Sequence, residues 1–154
     1  MDGSVFIDNT NVKKIPLKVL REKIAVLPQT PVLFPLSVRK NLDPLGKFDD
    51  ESIWSVLQKC EMKRHFNSLD ITLDQNKFSS GQRQLLCLAR AMLVVEKILI
   101  LDEATSNVDP NTEAVIQNTI KDHFAKCTVL AISHRSSALT NCDLILVIDH
   151  GKIV

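Results

Sequence analysis

The sequence predicts an α/β fold built on a parallel sheet, and three segments carry that prediction. Residues 98–101 (ILIL) form a short apolar run without alternating polar residues, which is typical of a parallel strand covered on both faces. Residues 78–93 begin with cap and turn formers and continue with apolar residues at helical spacing, which predicts a helix just before that strand. A second apolar run at 128–132 (TVLAI) predicts another buried strand.

Two carboxylates, Asp102 and Glu103, follow the apolar run 98–101 directly. Ligands of open α/β sheets bind at the carboxyl ends of the strands. We therefore interpret these two acids as candidates for holding a metal ion or moving a proton, rather than as solvated surface charges.

The composition is that of an ordinary globular protein, with 45% hydrophobic and 24% charged residues among 154. That length falls within the usual size of one domain. The 19 basic residues nearly balance the 18 acidic ones, so bulk charge gives no reason to expect binding to nucleic acid or to an anionic membrane surface.

The cysteine spacing argues against a cysteine metal site, and the short apolar runs argue against a membrane span within this sequence. The four cysteines have no CxxC or other metal-ligand spacing and are interpreted as reduced thiols of a cytosolic protein. No run approaches the roughly 18 to 20 apolar residues of a membrane span, and no signal peptide is visible at Met1. If the protein works at a membrane, we expect another segment or subunit to hold it there.

The first part of the chain predicts two strands and a loop. Residues 4–8 form a short apolar strand, 13–23 a short helical turn, and 24–27 a second strand. The next segment, 28–31 (PQTP), contains two prolines, which forbid helix and favour an extended loop after the strand. On its own, Gln29 within this loop reads as a surface residue.

The rest of the chain predicts further helices and a closing strand. Helical periodicity at 49–66 predicts a small helical region in which Trp54 is a core residue rather than a base-stacking platform. Asp109 and Pro110 start a later helix as acceptor cap and first-turn proline. Residues 144–148 predict a last strand.

The order of these segments resembles the ATP-binding cassette (ABC) superfamily, in which signature loop, helix, Walker B strand and adjacent glutamate follow one another. Residues 81–91 (GQRQLLCLARA) look most like subfamily C, the multidrug-resistance-associated group, and the NLDP run at 41–44 is similar to that subfamily too. The resemblance implies a P-loop NTPase-like parallel-sheet core. It also implies a small helical subdomain at about 45–95 that includes the signature helix, with the remainder of 1–154 as α/β core.

The resemblance also implies roles for five residues. Asp102 would hold magnesium, and Gln29 would offer its amide oxygen to that ion or to the attacking water. Glu103 would orient and deprotonate the water, His134 would contact the γ-phosphate of ATP, and Asp109 would reach across a dimer seam. ATP and Mg²⁺ are thus the implied cofactors.

The signature turn is expected to form a different kind of site. Ser79, Gly81 and Gln82 stand at a helix start, where backbone N–H groups and the helix dipole favour an anion. In the family this anion is the γ-phosphate of ATP held by the opposite cassette. The implied partners are therefore a second nucleotide-binding domain in a head-to-tail pair and the transmembrane domains of the same transporter, with no nucleic acid.

A phosphate loop is missing from these 154 residues. It requires GxxxxGK[ST], and neither Gly46-Lys47 nor Gly151-Lys152 has that pattern around it. The chain thus resembles an N-terminally truncated cassette, cut just after the phosphate-loop helix. We expect the chain alone to bind ATP poorly, to hydrolyse it negligibly, and to have a sheet that lacks a central strand.

Three functions remain open at this stage. The first is part of a transporter nucleotide-binding domain that couples ATP hydrolysis to export, located at the cytosolic face of a membrane through the transmembrane domains of the parent protein. The second is a soluble ABC ATPase. The third is a truncated, non-catalytic interaction or regulatory module that pairs with a complete cassette and lends its signature to the partner's ATP.

Overall fold

The computed structural model describes residues 3–94, 97–135 and 142–154. Its strands are β1 Phe6–Ile7, β2 Thr10–Asn11, β3 Ile24–Leu27, β4 Ile98–Asp102, β5 Thr128–Ile132, β6 Ile148–Asp149 and β7 Lys152–Ile153. Its α-helices are α1 Leu17–Glu22, α2 Val38–Leu42, α3 Asp50–Lys59, α4 Ser80–Leu93 and α5 Pro110–His123, with 3₁₀ turns at Val12–Lys14, Lys63–His65 and Gln75–Lys77. None of the helices in these described segments is long and apolar enough to cross a membrane.

The central sheet is parallel and has the strand order β3-β4-β5. Ile24 lies opposite Ile98 in the first pair, and Asp102 lies opposite Ile132 at the end of the second pair. The predicted α/β fold with a parallel sheet is thereby confirmed. All three strands run in one direction, so their carboxyl ends meet at one edge of the sheet.

The two faces of this sheet differ in burial. Residues paired in register share a face, and on one face Ala25, Leu27 and Leu99 are buried where α4 packs on β3. On the other face Val26 and Leu130 are each 52% exposed. The expectations that residues 98–101 are covered on both faces and that residues 128–132 form a buried strand are wrong for the described residues. The described helices cover mainly one face of β3 and β4, and β5 lies at the edge of this sheet with most of its residues exposed.

The core is organised around α4. Ten of its fourteen residues are buried, and it packs on α2, α3, α5 and β3. At its amino end, Ser79 Oγ accepts a hydrogen bond from Gln82 N and Gln82 Oε1 accepts one from Ser79 N, which forms a capping box. Residues 79–82 therefore specify where this buried helix begins.

The helical periodicity predicted at 49–66 corresponds to α3 and a following 3₁₀ turn. Asp49 caps α3 by accepting from Ser52 N at 2.8 Å, and hydrogen bonding to Ser52 lowers the pKa of Asp49. Trp54 is half-buried and packs against the core, as its interpretation as a core residue required. One cluster of buried side chains includes residues before, within and after 45–95, from Ala25 to Phe124. Because the cluster does not divide at those positions, the subdomain at about 45–95 stays a prediction.

The two terminal strands are shorter than predicted. Within 4–8 only β1 is a strand, and it turns back onto β2 through Asp8 and Asn9, whose φ angles are 46° and 64°. Within 144–148 only Ile148 belongs to a strand, in the small β6-β7 hairpin, and residues 144–147 are exposed. An apolar run forms a long strand only where a neighbouring strand is available to satisfy its backbone groups.

Asn41 organises the segment that connects β3 to α2. This 2% exposed side chain donates from Nδ2 to the carbonyl oxygens of Phe34, Leu36 and Ser37 at 3.0, 3.1 and 3.1 Å. Its Oδ1 accepts from Phe34 N at 2.8 Å. One buried amide thus replaces the hydrogen bonds that regular secondary structure would supply.

We predict that Asn41→Ala lowers the free energy of unfolding by about 1–3 kcal/mol, because backbone groups of this segment lose their buried partner. Urea denaturation of the chain measures the loss. Asn67→Ala is the matched control, since Asn67 is exposed, and it should change stability by less than about 0.5 kcal/mol. Equal losses in the two variants would contradict the role assigned to Asn41.

Candidate functional site

Three of the residues singled out from the sequence meet at the carboxyl edge of the sheet. Gln29, Glu103 and His134 follow β3, β4 and β5 respectively. Gln29 Nε2 donates a hydrogen bond to Glu103 Oε2 at 2.7 Å, and His134 Nε2 lies 3.3 Å from Glu103 Oε1. Each oxygen of the Glu103 carboxylate therefore faces a different polar side chain.

The backbone at Glu103 is unusual. Its φ of 45° lies in the left-handed region, which costs a non-glycine residue of order 1–3 kcal/mol and is concentrated at functional sites. Glu103 N donates to Ile132 O at 3.0 Å and Ser106 N donates to Glu103 O at 3.0 Å. These bonds fix the chain reversal at the end of β4 and hold a carboxylate whose side chain is 26% exposed.

Oxygen ligands for a cation are available beside this carboxylate. Asp102 ends β4 and is exposed, and Gln29 has an amide oxygen besides the nitrogen that it gives to Glu103. The described residues contain no group of three or more His, Cys, Asp or Glu side chains that could hold a metal ion. Mg²⁺ keeps several waters and usually takes one or two protein oxygens together with substrate phosphates, so Asp102 and Gln29 fit it and a preformed protein cage is not required.

The signature turn has fewer available donors than the sequence indicates. The capping box occupies the N–H groups of both Ser79 and Gln82. Within the first turn of α4 this leaves the N–H groups of Ser80 and Gly81 as donors for an anion. The placement is compatible with the anion site expected here, whose ligand contacts stay a prediction.

Asp109 is held against its own helix. Its Oδ1 accepts from Asn111 N at 3.1 Å and from Thr112 N at 3.0 Å, and its Oδ2 accepts from the Thr112 hydroxyl at 2.6 Å. The side-chain hydrogen bond from Thr112 is the largest cause that lowers the pKa of Asp109. Asp109 is the acceptor cap that the sequence predicted, and its carboxylate has a fixed direction.

The structure adds an ion pair between a partly exposed arginine and a buried glutamate, which the sequence reasoning missed. Arg135, next to His134, donates from Nη1 to Thr105 O at 2.7 Å, and its Nη2 lies 3.2 Å from Glu113 Oε2. The Glu113 side chain is only 8% exposed. Arg135 therefore connects the end of β5 to the loop after β4 and to α5. The spacing of residues within a short window does not predict this arrangement.

Polar side chains on α4 were missed as well. Gln84, which is 1% exposed, donates to Pro28 O at 2.9 Å. Arg90 donates from Nε to Asn41 O at 2.7 Å and from Nη2 to Val32 O at 3.3 Å. The available signal was weak, because Gln84 continues the polar first turn of α4 and only Arg90 interrupts its apolar part. The structure shows that these two residues fix both ends of the segment that begins with Gln29.

A family model described as "ABC transporter" matches residues 1–106. The human ATP-binding cassette sub-family C member 4 is 44% identical over 158 residues, which cover 99% of this chain and 12% of that protein. The human sub-family C member 2 is 44% identical over 158 residues, covering 99% and 10% respectively. The Arabidopsis thaliana ABC transporter C family member 7 is 41% identical over 157 residues, covering 98% and 10%.

The parallel sheet makes this an α/β protein, and its polar side chains lie at the edge where open α/β sheets bind ligands. The match over residues 1–106 then places this chain in the ABC transporter family, as part of a nucleotide-binding domain of the subfamily C type. The predicted family and its P-loop NTPase fold are confirmed. The chain spans about a tenth of the length of the relatives named above.

We predict that Arg135→Met lowers the free energy of unfolding by about 1–3 kcal/mol, because the buried Glu113 carboxylate loses its ion pair. The double variant Arg135→Met, Glu113→Gln should recover part of this loss, measured by urea denaturation. Arg39→Met is the control, because its ion pair at 2.7 Å is with an exposed Asp50 and should contribute at most about 1 kcal/mol. A loss for Arg135→Met no larger than the control's, without recovery in the double variant, would contradict the prediction.

Proposed function

We propose that this chain forms part of a nucleotide-binding domain that couples ATP binding and hydrolysis to export of a substrate across a membrane. Membership of the ABC transporter family and the likeness to subfamily C proteins support the general class. The observation that carries the proposal is the placement of Glu103 between Gln29 Nε2 at 2.7 Å and His134 Nε2 at 3.3 Å. An acid in this position can serve as a base for water beside a bound phosphate.

In the proposed mechanism Glu103 accepts a proton from water while the water oxygen attacks the γ-phosphorus of ATP. The bond from that phosphorus to the oxygen bridging to the β-phosphate then breaks, and ADP leaves with the bridging oxygen. His134 contacts the γ-phosphate, and Gln29 orients the water. Asp102 and Gln29 would hold magnesium, which neutralises the β- and γ-phosphates when bound.

The other predicted residues act across the seam between two cassettes. In this proposal Ser79, Gly81 and Gln82 present the signature turn to the γ-phosphate of ATP on a second nucleotide-binding domain, and Asp109 lies along the same seam. The transmembrane domains of the same transporter are the second partner. They would place this domain at the cytosolic face of a membrane.

A non-catalytic role is the second candidate, and the capping box at the start of α4 is the observation that favours it. The 154 residues contain no GxxxxGK[ST], so we infer that the purified chain hydrolyses ATP negligibly on its own. The capping box keeps the signature turn formed without any contribution from a phosphate loop. Such a chain would lend its signature turn to a complete cassette. The remaining alternative, a soluble ABC ATPase, would be recognised by the lack of transmembrane segments in the parent protein.

We predict that Glu103→Gln lowers ATP hydrolysis by roughly 10² to 10⁴ in a form of the protein that includes a phosphate loop, with ATP binding retained. The amide keeps the shape of the side chain but cannot accept the proton. Phosphate release and fluorescent-nucleotide binding measure the two effects. Glu51→Gln, at an exposed position on α3, is the control and should leave both unchanged. Unchanged turnover in Glu103→Gln would remove Glu103 from the mechanism.

For the second candidate, we predict that the chain stimulates ATP hydrolysis by a recombinant subfamily C cassette that contains GxxxxGK[ST]. Ser79→Ala should remove most of this stimulation, because the signature turn loses its cap. Ser37→Ala is closely matched, since Ser37 caps α2 by accepting from Lys40 N and its loss costs a similar, roughly 1 kcal/mol. No stimulation by the wild-type chain, or equal losses in both variants, would count against a signature-lending module.

A further inference from the structure

The amino ends of α4 and α5 lie directly against each other at Gly81 and Thr112. A Cβ atom built on Gly81 would lie 2.8 Å from Thr112 Cγ2, 3.1 Å from Thr112 Oγ1 and 3.2 Å from Thr112 Cβ. These distances leave no room for any side chain at Gly81. Because threonine is branched at Cβ, Thr112 cannot swing a flexible tail away.

The same threonine holds Asp109 through its hydroxyl group. Thr112 Oγ1 donates to Asp109 Oδ2 at 2.6 Å, and Thr112 N donates to Oδ1 at 3.0 Å. The hydroxyl and the methyl group are both attached to Cβ, so fixing one fixes the direction of the other. The hydrogen bond to Asp109 therefore sets where the methyl group meets Gly81.

Capping alone does not require this methyl group. In α3, Asp49 accepts from Ser52 N at 2.8 Å, three residues on, as in the Asp109 cap of α5. Hydrogen bonding to that serine side chain lowers the pKa of Asp49, as the Thr112 hydroxyl does for Asp109. A serine thus suffices for the hydroxyl part, and the additional methyl of Thr112 is the group nearest to Gly81.

We propose that Thr112 is a positioning residue that joins the signature turn to Asp109, so that these two elements keep one fixed spacing. Its importance for activity rests on the proposed function, in which both elements face the opposite cassette. The contact itself does not depend on that function and can be tested on the 154-residue chain.

The hydrogen bond from the Thr112 hydroxyl to Asp109 is the first half of the proposal. It is tested with Thr112→Val, which keeps the branched shape, and Thr112→Ser, which keeps the hydroxyl. Carbon-detected NMR titration of the Asp109 carboxyl group measures its pKa in each folded chain. A hydroxyl donor stabilises the charged carboxylate, so the pKa should stay low in Thr112→Ser and rise towards its usual value in Thr112→Val. An unchanged pKa in Thr112→Val would overturn this half of the proposal.

The contact of the Thr112 methyl group with Gly81 is the second half of the proposal, and it is tested with Gly81→Ala. Its added methyl group overpacks the contact, so Tm should fall, and combining Gly81→Ala with Thr112→Ser should return part of the lost Tm because the nearest atom is removed. Failure of Thr112→Ser to recover any Tm would show that the two residues are not in contact. Both readouts use the chain alone and remain decisive whatever the outcome of the activity assays.

The positioning role is tested in the mixed assay with a complete subfamily C cassette. Thr112→Ser and Thr112→Val should each reduce kcat of the stimulated hydrolysis by roughly ten- to a hundredfold, since misplaced groups lose catalytic contacts, with KM for ATP little changed. Ser52→Ala removes the corresponding hydroxyl from α3 and should leave stimulation intact. Full stimulation by both Thr112 variants would overturn the positioning role. No stimulation by the wild-type chain would instead refute the signature-lending function. The Thr112 contact would then be judged on the pKa of Asp109 and on Tm.

Discussion

The hydrogen bonds from α4 to the segment after β3 are the interaction on which the candidate site depends. A glutamine as buried as Gln84 would cost about 1–3 kcal/mol if it lacked a partner, and its bond to Pro28 O meets that requirement. The bond also fixes the residue just before Gln29. Arg90 holds the far end of the segment through Asn41 O. Because ten of the fourteen residues of α4 are buried, this helix gives an irregular loop the fixed position that the interaction of Gln29 with Glu103 requires.

The same helix reaches the second group of predicted residues through its amino end. The capping box fixes the first turn of α4, and Gly81 lets that turn approach Thr112 on α5. The ion pair between Arg135 and Glu113 then joins α5 to the end of β5. A displacement of α4 would therefore shift groups at the carboxyl edge of the sheet and at the signature turn together.

Local chemistry explains which features could be predicted from the sequence. The cap at Asp109 and the helix after Ser79 depend on residues within one turn, and the strand at 98–101 depends on a continuous apolar run, so each is visible in a short window. The Arg135–Glu113 pair spans distant parts of the chain and depends on tertiary approach. For residues 144–148 the sequence predicted a strand that is mostly absent. An apolar run does not reveal whether a neighbouring strand is available to pair with it.

The turn at Glu103 explains how two adjacent acids can serve different purposes. Asp102 is still in register with Ile132 and belongs to the strand, whereas Glu103 has left it through a left-handed φ of 45°. With Glu103 turned towards Gln29 and His134, Asp102 stays at the exposed strand end, where an ion with its water shell has access. Glu103 thus reaches Gln29 and His134 where the chain leaves the strand through a strained φ, whereas the proposed cation ligand Asp102 remains in the strand.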